Sequence, residues 1–285
     1  MILISSSCVN EYLIKNVIMR LHNEGFSNIE LSGGTNYYDG ICEDIIALKE
    51  QLKCNFILHN YFPPPKKEFV LNLASLDTEI FDMTIDHYLK AIDLSKKISS
   101  NCFGIHAGFL IDIHTGEIGK TLSRKNLSDR DKAMETFVKG YKILQKEAED
   151  ITLYIENNVL SCENKKKFKE NPFLLTNADE YFEIKKEINF PLLLDIAHLK
   201  VSSQSQGIDF YQEFKILSKE SDYWHVSGNN GLLDQNASVS SDKTIINLIE
   251  KQTVFPELLT IEVYDSLPVI KKDVEFFETI TEVIR

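Results

Sequence analysis

Short apolar runs alternate along the chain with longer segments in which apolar residues recur every three or four positions. The short runs are about five residues long, as strands usually are, and the longer segments have helical periodicity. Runs such as Phe56-Ile57-Leu58 and Leu192-Leu193-Leu194 are apolar at consecutive positions rather than at alternating ones. Parallel strands have this pattern because both faces of their sheet are covered. The pattern therefore predicts an α/β fold.

Strand-then-helix units follow one another through the whole sequence. The predicted strands are residues 2–6, 28–31, 55–59, 102–106, 152–156, 191–195, 223–226 and 259–263. The predicted helices are residues 11–23, 43–52, 78–97, 131–147, 178–187, 210–218, 243–251 and 269–284. Eight such units close a single (β/α)8 TIM barrel, and we expect one domain over residues 1–285. An open doubly wound sheet has the same alternation, but the polar residues at the strand ends favour the barrel.

The widest gaps between predicted elements are residues 62–75, 107–130 and 159–177. Each gap follows a strand, so all three loops are expected at the carboxyl end of the barrel, where such folds build their sites. The third loop contains the basic run Lys165-Lys166-Lys167-Phe168-Lys169. A solvated loop is one interpretation. The alternative is an anion-binding segment over a phosphorylated substrate, with Lys165 as a substrate-binding residue.

Composition and charge narrow the possible partners. The formal net charge of −12 and the scarcity of arginine oppose broad attraction to nucleic acid. The five cysteines are scattered without CxxC pairs, which indicates a reducing cytoplasm rather than a disulfide framework or a thiolate zinc site. No stretch approaches the roughly 20 apolar residues that span a bilayer. The first residues lack a basic region and are expected to form a strand rather than a signal peptide.

Residues that can bind metal ions lie at or just after the ends of several predicted strands. These residues are His59, His106, Glu156, Asp195, His198, His225, Asp234 and Glu262. A single histidine there is usually structural, and a single aspartate is often a helix N-cap. In a barrel, however, all the strand ends surround one narrow mouth, where clustered carboxylates would be costly without a cation. We therefore expect a divalent ion, and this ligand chemistry suits Zn, Mn, Fe, Co or Mg.

The chain resembles the xylose isomerase-like TIM barrels, a superfamily that includes endonuclease IV and many sugar isomerases and epimerases. Six short phrases carry the resemblance in order along nearly the whole chain. They are Ile57-Leu58-His59-Asn60, Gly104-Ile105-His106-Ala107-Gly108, Tyr154-Ile155-Glu156-Asn157-Asn158, Leu194-Asp195-Ile196-Ala197-His198, Trp224-His225-Val226-Ser227 and Ile261-Glu262-Val263. Each phrase is weak alone, and the shared order makes the set specific. The segment 69–75 also looks like the endonuclease IV branch.

The resemblance implies roles for these residues. The metal site of the isomerases corresponds to Glu156, Asp195, His225 and Glu262, and Glu156 and Glu262 would also transfer protons. The endonuclease IV pattern would add His59 and His106 for a second ion, and His198 with an Asp-x-His pair for a third. Here that pair is Asp234-Gln235-Asn236, and asparagine is a poorer ligand. The residues expected to contact the substrate are Asn60, Asn157, Lys165 and Asn236.

Two functions follow from the resemblance, and a third stays open. The first is a divalent-metal-dependent isomerase or epimerase of a sugar or sugar phosphate, which would act through an enediolate. In it, Glu156 and Glu262 would be acid and base, and His198 would hold a substrate oxygen. The alternative is an endonuclease IV-like zinc phosphodiesterase acting at abasic sites in DNA. The acidic surface and Asn236 favour the first, and His59 and His106 favour the second. The third is a barrel that binds a ligand or partner without catalysis, or an oxidoreductive or lyase variant on the same scaffold. The oligomeric state is left open.

Overall fold

Parallel strands form a closed barrel in which each strand pairs with its neighbours in the chain and the last pairs with the first. The computed structural model describes residues 1–124 and 126–284, so Lys125 and Arg285 of the predicted domain lie outside the described residues. In chain order the strands are β1 (Ile2–Ser5), β2 (Asn28–Leu31), β3 (Asn55–His59), β4 (Cys102–His106), β5 (Thr152–Glu156), β6 (Leu192–Asp195), β7 (Tyr223–Val226) and β8 (Leu258–Ile261). The predicted (β/α)8 barrel is confirmed.

Helices pack around the barrel and cover the outer faces of its strands. In chain order they are α1 (Ile14–Asn23), α2 (Ile41–Leu52), α3 (Thr78–Lys97), α4 (Arg130–Ala148), α5 (Cys162–Lys167), α6 (Ala178–Glu187), α7 (Ile196–Gln206), α8 (Phe210–Leu217), α9 (Lys243–Ile249) and α10 (Leu267–Ile284). Aspartate or asparagine side chains cap the first turns of several of them, including Asp77 at α3 and Asn177 at α6. Both of these caps follow the local preference of short polar side chains for N-terminal turns.

Three differences from the sequence prediction concern the carboxyl end of the barrel. Strand β8 ends at Ile261, so Glu262 follows the strand instead of lying within it. Helix α5 lies inside the predicted loop 159–177 and carries Lys165. Helix α7 starts directly after β6, where no helix was predicted. Most of its residues are buried, including serines, so it lacks the one-sided apolar pattern that identifies a surface helix.

The interior of the barrel is divided into an apolar layer and a polar layer. The apolar layer consists of Leu3, Ile57, Cys102, Tyr154, Leu193 and Tyr223. Side chains on a strand return to the same face every second residue. Two positions further along their strands, the inward side chains are His59, Glu156, Asp195 and His225, and Gly104 occupies the corresponding position of β4. The sheet thus brings polar groups together at its carboxyl end, above a packed apolar floor.

The loops after β4 and β5 pack on each other above this end of the barrel. Their apolar side chains form a small core of Ile111, Leu122, Leu160, Phe168 and Phe173. The amide nitrogen of Asn158 lies 2.8–3.2 Å from the carbonyl oxygens of Ala107, Gly108 and Leu174, to which it donates. Buried hydrogen bonds of this kind hold the two loops in one arrangement.

All five cysteines are free thiols. Within the described ranges, no helix has both the length and the apolar character needed to cross a bilayer.

We expect Asn158→Ala to lower the free energy of unfolding by about 2–3 kcal/mol, because it leaves buried carbonyl oxygens without donors. Urea denaturation of the metal-free protein measures this change. The matched control is Asn189→Ala, which alters an exposed asparagine and should change stability by less than about 0.5 kcal/mol. Equal stability of the two variants would mean that Asn158 does not hold the loops.

Candidate metal centre

Neighbouring strands place the predicted ligands side by side. In the register of the sheet, His106 of β4 pairs with Glu156 of β5, and Asp195 of β6 pairs with His225 of β7. Three groups of ligand atoms result, each with its atoms within 4.8 Å of one another. The groups are His59 with His106 and Glu156, Glu156 with Asp195 and His198, and Asp195 with His225 and Glu262. The structure therefore brings every predicted ligand of the first two ion sites to one place.

Glu156 is the shared member of this cluster, and its side chain is 1% exposed. Its Oε2 lies 2.7 Å from Nε2 of His59 and 3.3 Å from Nε2 of His106. Its Oε1 lies 3.5 Å from Nδ1 of both His198 and His225. Displacing this one carboxylate would therefore disturb all of the surrounding imidazoles.

The surroundings of the His225 ring nitrogen Nδ1 indicate whether a cation can be bound in this cluster. This atom is buried and has no hydrogen-bond partner among the described residues. This nitrogen lies 3.5 Å from Oε1 of Glu156 and 3.6 Å from Oε2 of Glu262. Two ligand atoms that share a tetrahedral ion at about 2.1 Å stand roughly 3.4 Å apart. The donor set and its spacing therefore fit a divalent ion.

Asp195 and His198 are oriented by backbone groups. A carboxylate oxygen of Asp195 caps α7 by accepting from the backbone N–H of His198 at 2.6 Å. The Asn157 amide makes two hydrogen bonds, at 2.7 and 3.0 Å, to the backbone of Asp195. His198 Nδ1 lies 2.9 Å from the carbonyl oxygen of Asn157, while its Nε2 lies 3.3 Å from Asp234. The local capping role and the ligand role of Asp195 are thus compatible.

The pKa shifts show how strongly this buried cluster depends on positive charge. Burial raises the pKa of Asp195 to about 7 and also raises the pKa of Glu262 above its ordinary value. Burial alone would raise the pKa of Glu156 as well. The nearby imidazoles of His106, His59 and His225 instead hold that pKa well below its usual range. Burial lowers the pKa of His106 to about 4, so that ring is neutral at pH 7. Neighbouring carboxylates raise the pKa values of His59, His198 and His225 despite burial, and in the metal-free protein these three rings supply the positive charge that a divalent ion would otherwise bring.

A cavity of about 1200 Å³ opens above the cluster. Its floor includes Glu156 and Glu262, and one wall is the loop after β2, Ser32-Gly33-Gly34-Thr35-Asn36-Tyr37. The lining also includes the aromatic side chains of Phe69, Phe109 and Phe173. The cavity therefore presents both hydroxyl and aromatic groups near the candidate ligands.

The residues predicted to bind substrate fall into two groups. Asn60 and Asn236 line the cavity, although the side-chain oxygen of Asn60 accepts from the Tyr88 hydroxyl at 2.7 Å. Asn157 and Lys165 are not among the described lining residues. The amide of Asn157 is engaged by the Asp195 backbone, and Lys165 lies on α5 to one side of the cavity.

The basic run helps to hold a loop. Lys167 donates to the carbonyl oxygens of Leu122 and Ser123, the second at 3.0 Å. In this arrangement the ammonium group of Lys167 secures the loop after β4 and is not directed at a ligand.

Glu30 is a buried member of the site that the sequence reasoning missed. It lies on β2, and its Oε2 is 2.9 Å from Nε2 of His225. An acidic residue inside the otherwise apolar run Ile29-Glu30-Leu31 was the available signal. Buried carboxylates need partners, so a charged residue within a buried strand is itself an indication of a polar network.

Gly104 leaves the space that the His59 ring occupies. A Cβ atom built on Gly104 would lie 2.7 Å from Cδ2 of His59 and 2.9 Å from Cδ1 of Leu193. We expect Gly104→Ala to displace His59 from Glu156 and to weaken divalent-ion binding by about tenfold. Chelator competition measures the affinity. Gly116→Ala is the matched control, because an added Cβ there meets nothing within 4 Å. Unchanged affinity in Gly104→Ala would show that His59 does not position Glu156.

Comparisons with known proteins agree with this architecture. A D-tagatose 3-epimerase-like protein is 16% identical with a TM-score of 0.73, covering 99% of this chain and 97% of its own. D-psicose 3-epimerase from Clostridium cellulolyticum H10 is 13% identical with a TM-score of 0.67, covering 100% and 99%. Endonuclease IV from Thermus thermophilus is 11% identical with a TM-score of 0.60, covering 99% and 98%. At these identities the likeness establishes the shared fold alone.

No curated protein matches the sequence. The sequence profile of the xylose isomerase-like TIM barrels matches residues 19–280, which is most of the chain. The chain belongs to the xylose isomerase-like TIM barrel family.

Proposed function

We propose that the protein is a divalent-metal-dependent isomerase or epimerase of a small, uncharged carbohydrate. The observation that carries this proposal is the spacing around His225, whose free Nδ1 faces Glu156 and Glu262 at 3.5 and 3.6 Å. Both carboxylates also line the cavity. An ion bound there and the two carboxylates, which could transfer protons, would then contact the same part of a substrate in the cavity.

Glu262 is suited to take a proton from carbon. Its Oε1 accepts hydrogen bonds from the hydroxyls of Ser7 at 3.0 Å and Tyr264 at 3.1 Å, which fix the carboxylate. Its side chain is 18% exposed, so substrate can reach it, and a positioned carboxylate can serve as a general base. We assign Glu262 the removal of a proton from a carbon next to a carbonyl group.

Glu156 and His198 complete the proposed set. Glu156 lines the cavity beside His59 and His106, and we assign it the return of the proton. His198 lines the cavity with Nε2 beside Asp234, where it can hold a substrate hydroxyl. A divalent ion held by Glu156, Asp195, His225 and Glu262 would supply the positive charge that stabilises an enediolate.

The charges around the cavity favour an uncharged substrate. Its described acidic lining residues are Glu68, Glu117, Glu156, Asp234, Glu262 and Asp265. Apart from the imidazoles of His59, His106 and His198, which belong to the candidate metal centre, its described basic lining residues are Arg20, Lys66 and Lys120. Each of these three already has a partner: Arg20 pairs with Glu11 at 3.3 Å, Lys66 with Asp39 at 3.2 Å, and Lys120 donates to a backbone carbonyl. A phosphate group would therefore meet a predominantly negative surface.

The comparisons support the same choice. Solved structures of sugar epimerases have this fold over nearly the full length of the chain. A sugar also suits a cavity with hydroxyl-bearing and aromatic walls, because carbohydrate rings present both polar edges and apolar faces.

A metal-dependent phosphodiesterase is the second candidate, because His59, His106 and Glu156 form a further ligand group. Endonuclease IV has the same fold. Against it, the 2.7 Å contact between His59 and Glu156 is a direct hydrogen bond, shorter than the spacing of two atoms that share an ion. More than one bound ion per chain, together with nicking of a duplex that contains an abasic site, would support this candidate.

Glu262→Gln is the direct test of the isomerase proposal. The wild-type protein loaded with Mn²⁺ or Co²⁺ should exchange a carbon-bound hydrogen of at least one ketose for solvent deuterium, followed by NMR across a panel of ketopentoses and ketohexoses. Glu262→Gln should reduce that exchange by about 10²-fold or more, because the amide cannot accept the proton. The control Glu68→Gln alters an exposed carboxylate of the same cavity and should retain exchange. Full exchange by Glu262→Gln, or none by the wild type, would contradict the proposal.

The charged residues around the cavity predict a preference among substrates. We expect kcat/KM for a ketose to exceed that for its terminal phosphate ester by at least about tenfold, since the ester places a dianion against an acidic surface. Steady-state kinetics on matched pairs of sugars measures this ratio. A preference for the phosphorylated member would show that the cavity binds anions.

A further inference from the structure

We propose that Glu30 is a positioning residue that holds His225 with its Nδ1 directed at the ion. The inference rests on the metal centre of the proposed function and is independent of which sugar is the substrate. Glu30 lines no part of the cavity among the described residues, so any effect it has must pass through another side chain.

The carboxylate of Glu30 reaches across the interior of the barrel from β2 to β7 and β8. It is fully buried, and three donors converge on its Oε2. His225 Nε2 lies 2.9 Å away and Thr260 Oγ1 lies 3.2 Å away, and the Tyr223 hydroxyl donates to the same oxygen. Thr260 and His225 are register partners on adjacent strands, so the sheet itself aligns them. The contact is therefore built by four strand-borne residues and not by a mobile loop.

The hydrogen bond to Glu30 determines which nitrogen of His225 can bind an ion. An imidazole that donates its Nε2 proton to a carboxylate keeps the Nδ1 lone pair for a ligand. Nδ1 is the buried nitrogen without a hydrogen-bond partner, and it faces Glu156 and Glu262. The carboxylate also makes the imidazole a stronger electron donor to a cation. Both effects predict that the ion is bound more tightly when Glu30 is present.

Glu30 and its hydrogen-bond partners add a second set of polar contacts beneath the candidate metal ligands. The ligands occupy the mouth, and Glu30 with Tyr223 and Thr260 lies beneath them, above the apolar floor. Tyr223 belongs to both the apolar layer and this hydrogen-bond network. Tyr223→Phe removes the hydroxyl from this network but keeps the ring, whose centroid lies 5.4 Å from that of His225.

The test measures the Zn²⁺ affinity of the full chain by competition with a chromogenic chelator, with no substrate present. Glu30→Gln should weaken Zn²⁺ binding by about 10–100-fold. Tyr223→Phe removes a donor from the same carboxylate but keeps the His225 contact, and it should change the affinity by less than about threefold. A purely structural role for Glu30 would lower thermal stability in both variants and leave the affinity of both close to that of the wild type.

Affinity in Glu30→Gln equal to that of the wild type would overturn the proposal, and so would equal weakening in both variants. A second measurement does not depend on the folding of a variant. In Zn²⁺-loaded wild-type protein, nitrogen-detected NMR of the imidazoles should show His225 with a proton on Nε2 that exchanges slowly with solvent. A proton on Nδ1 instead would also overturn it. If the Zn²⁺ affinities and the protonation of His225 are as expected but no sugar is turned over, the proposed function is contradicted and this inference still holds.

Discussion

Three carboxylates, those of Glu156, Asp195 and Glu262, meet at one end of a barrel where burial removes most of the water that would screen them. Strand closure imposes this proximity, because the carboxyl ends of β5 to β8 adjoin one another. Like charges so close together destabilise the folded chain unless a cation compensates them. In the metal-free protein the surrounding imidazoles hold the pKa of Glu156 well below its usual range despite its burial. The rest of the site follows from this electrostatic requirement.

The barrel places its apolar layer and its polar layer at different levels along the barrel axis. Its apolar layer, which includes Leu3, Ile57 and Leu193, provides a rigid floor on which the polar layer rests. Above that floor the side chains are closely packed. The ring of His59 fills the space beside Gly104, so a Cβ atom added there would clash with it. The loops after β4 and β5 are tied together by Asn158 and contribute residues to the lining of the cavity. The apolar floor and the polar cluster are therefore separate layers of the same fold.

The strands and the main candidate ligands could be predicted from the sequence, because a buried parallel strand ending in a polar residue is a strong local pattern. His59, His106, Glu156, Asp195 and His225 were all found in this way. Barrel closure then required them to converge, which no single motif could show. In every TIM-type barrel the carboxyl ends of the strands meet at one face, so polar residues at strand ends predict the location of a site in other barrels too.

Other features depend on tertiary contacts that a local sequence pattern does not specify. Helix α7 is buried on several sides, so its sequence lacks a one-sided apolar stripe. Glu30 lies on β2, far along the chain from His225, and only the closed barrel brings the two together. Lys165 looked like an anion ligand because of its charge. Its position on α5, outside the described lining of the cavity, follows from how the loops pack.

Anomalous X-ray scattering from crystals soaked in Zn²⁺ or Mn²⁺ tests the central claim most directly. We predict a strong peak at the barrel mouth, in contact with Nδ1 of His225 and with carboxylate oxygens of Glu156, Asp195 and Glu262. A cluster free of anomalous density at saturating metal, or an ion bound elsewhere with His225 Nδ1 uncoordinated, would contradict it.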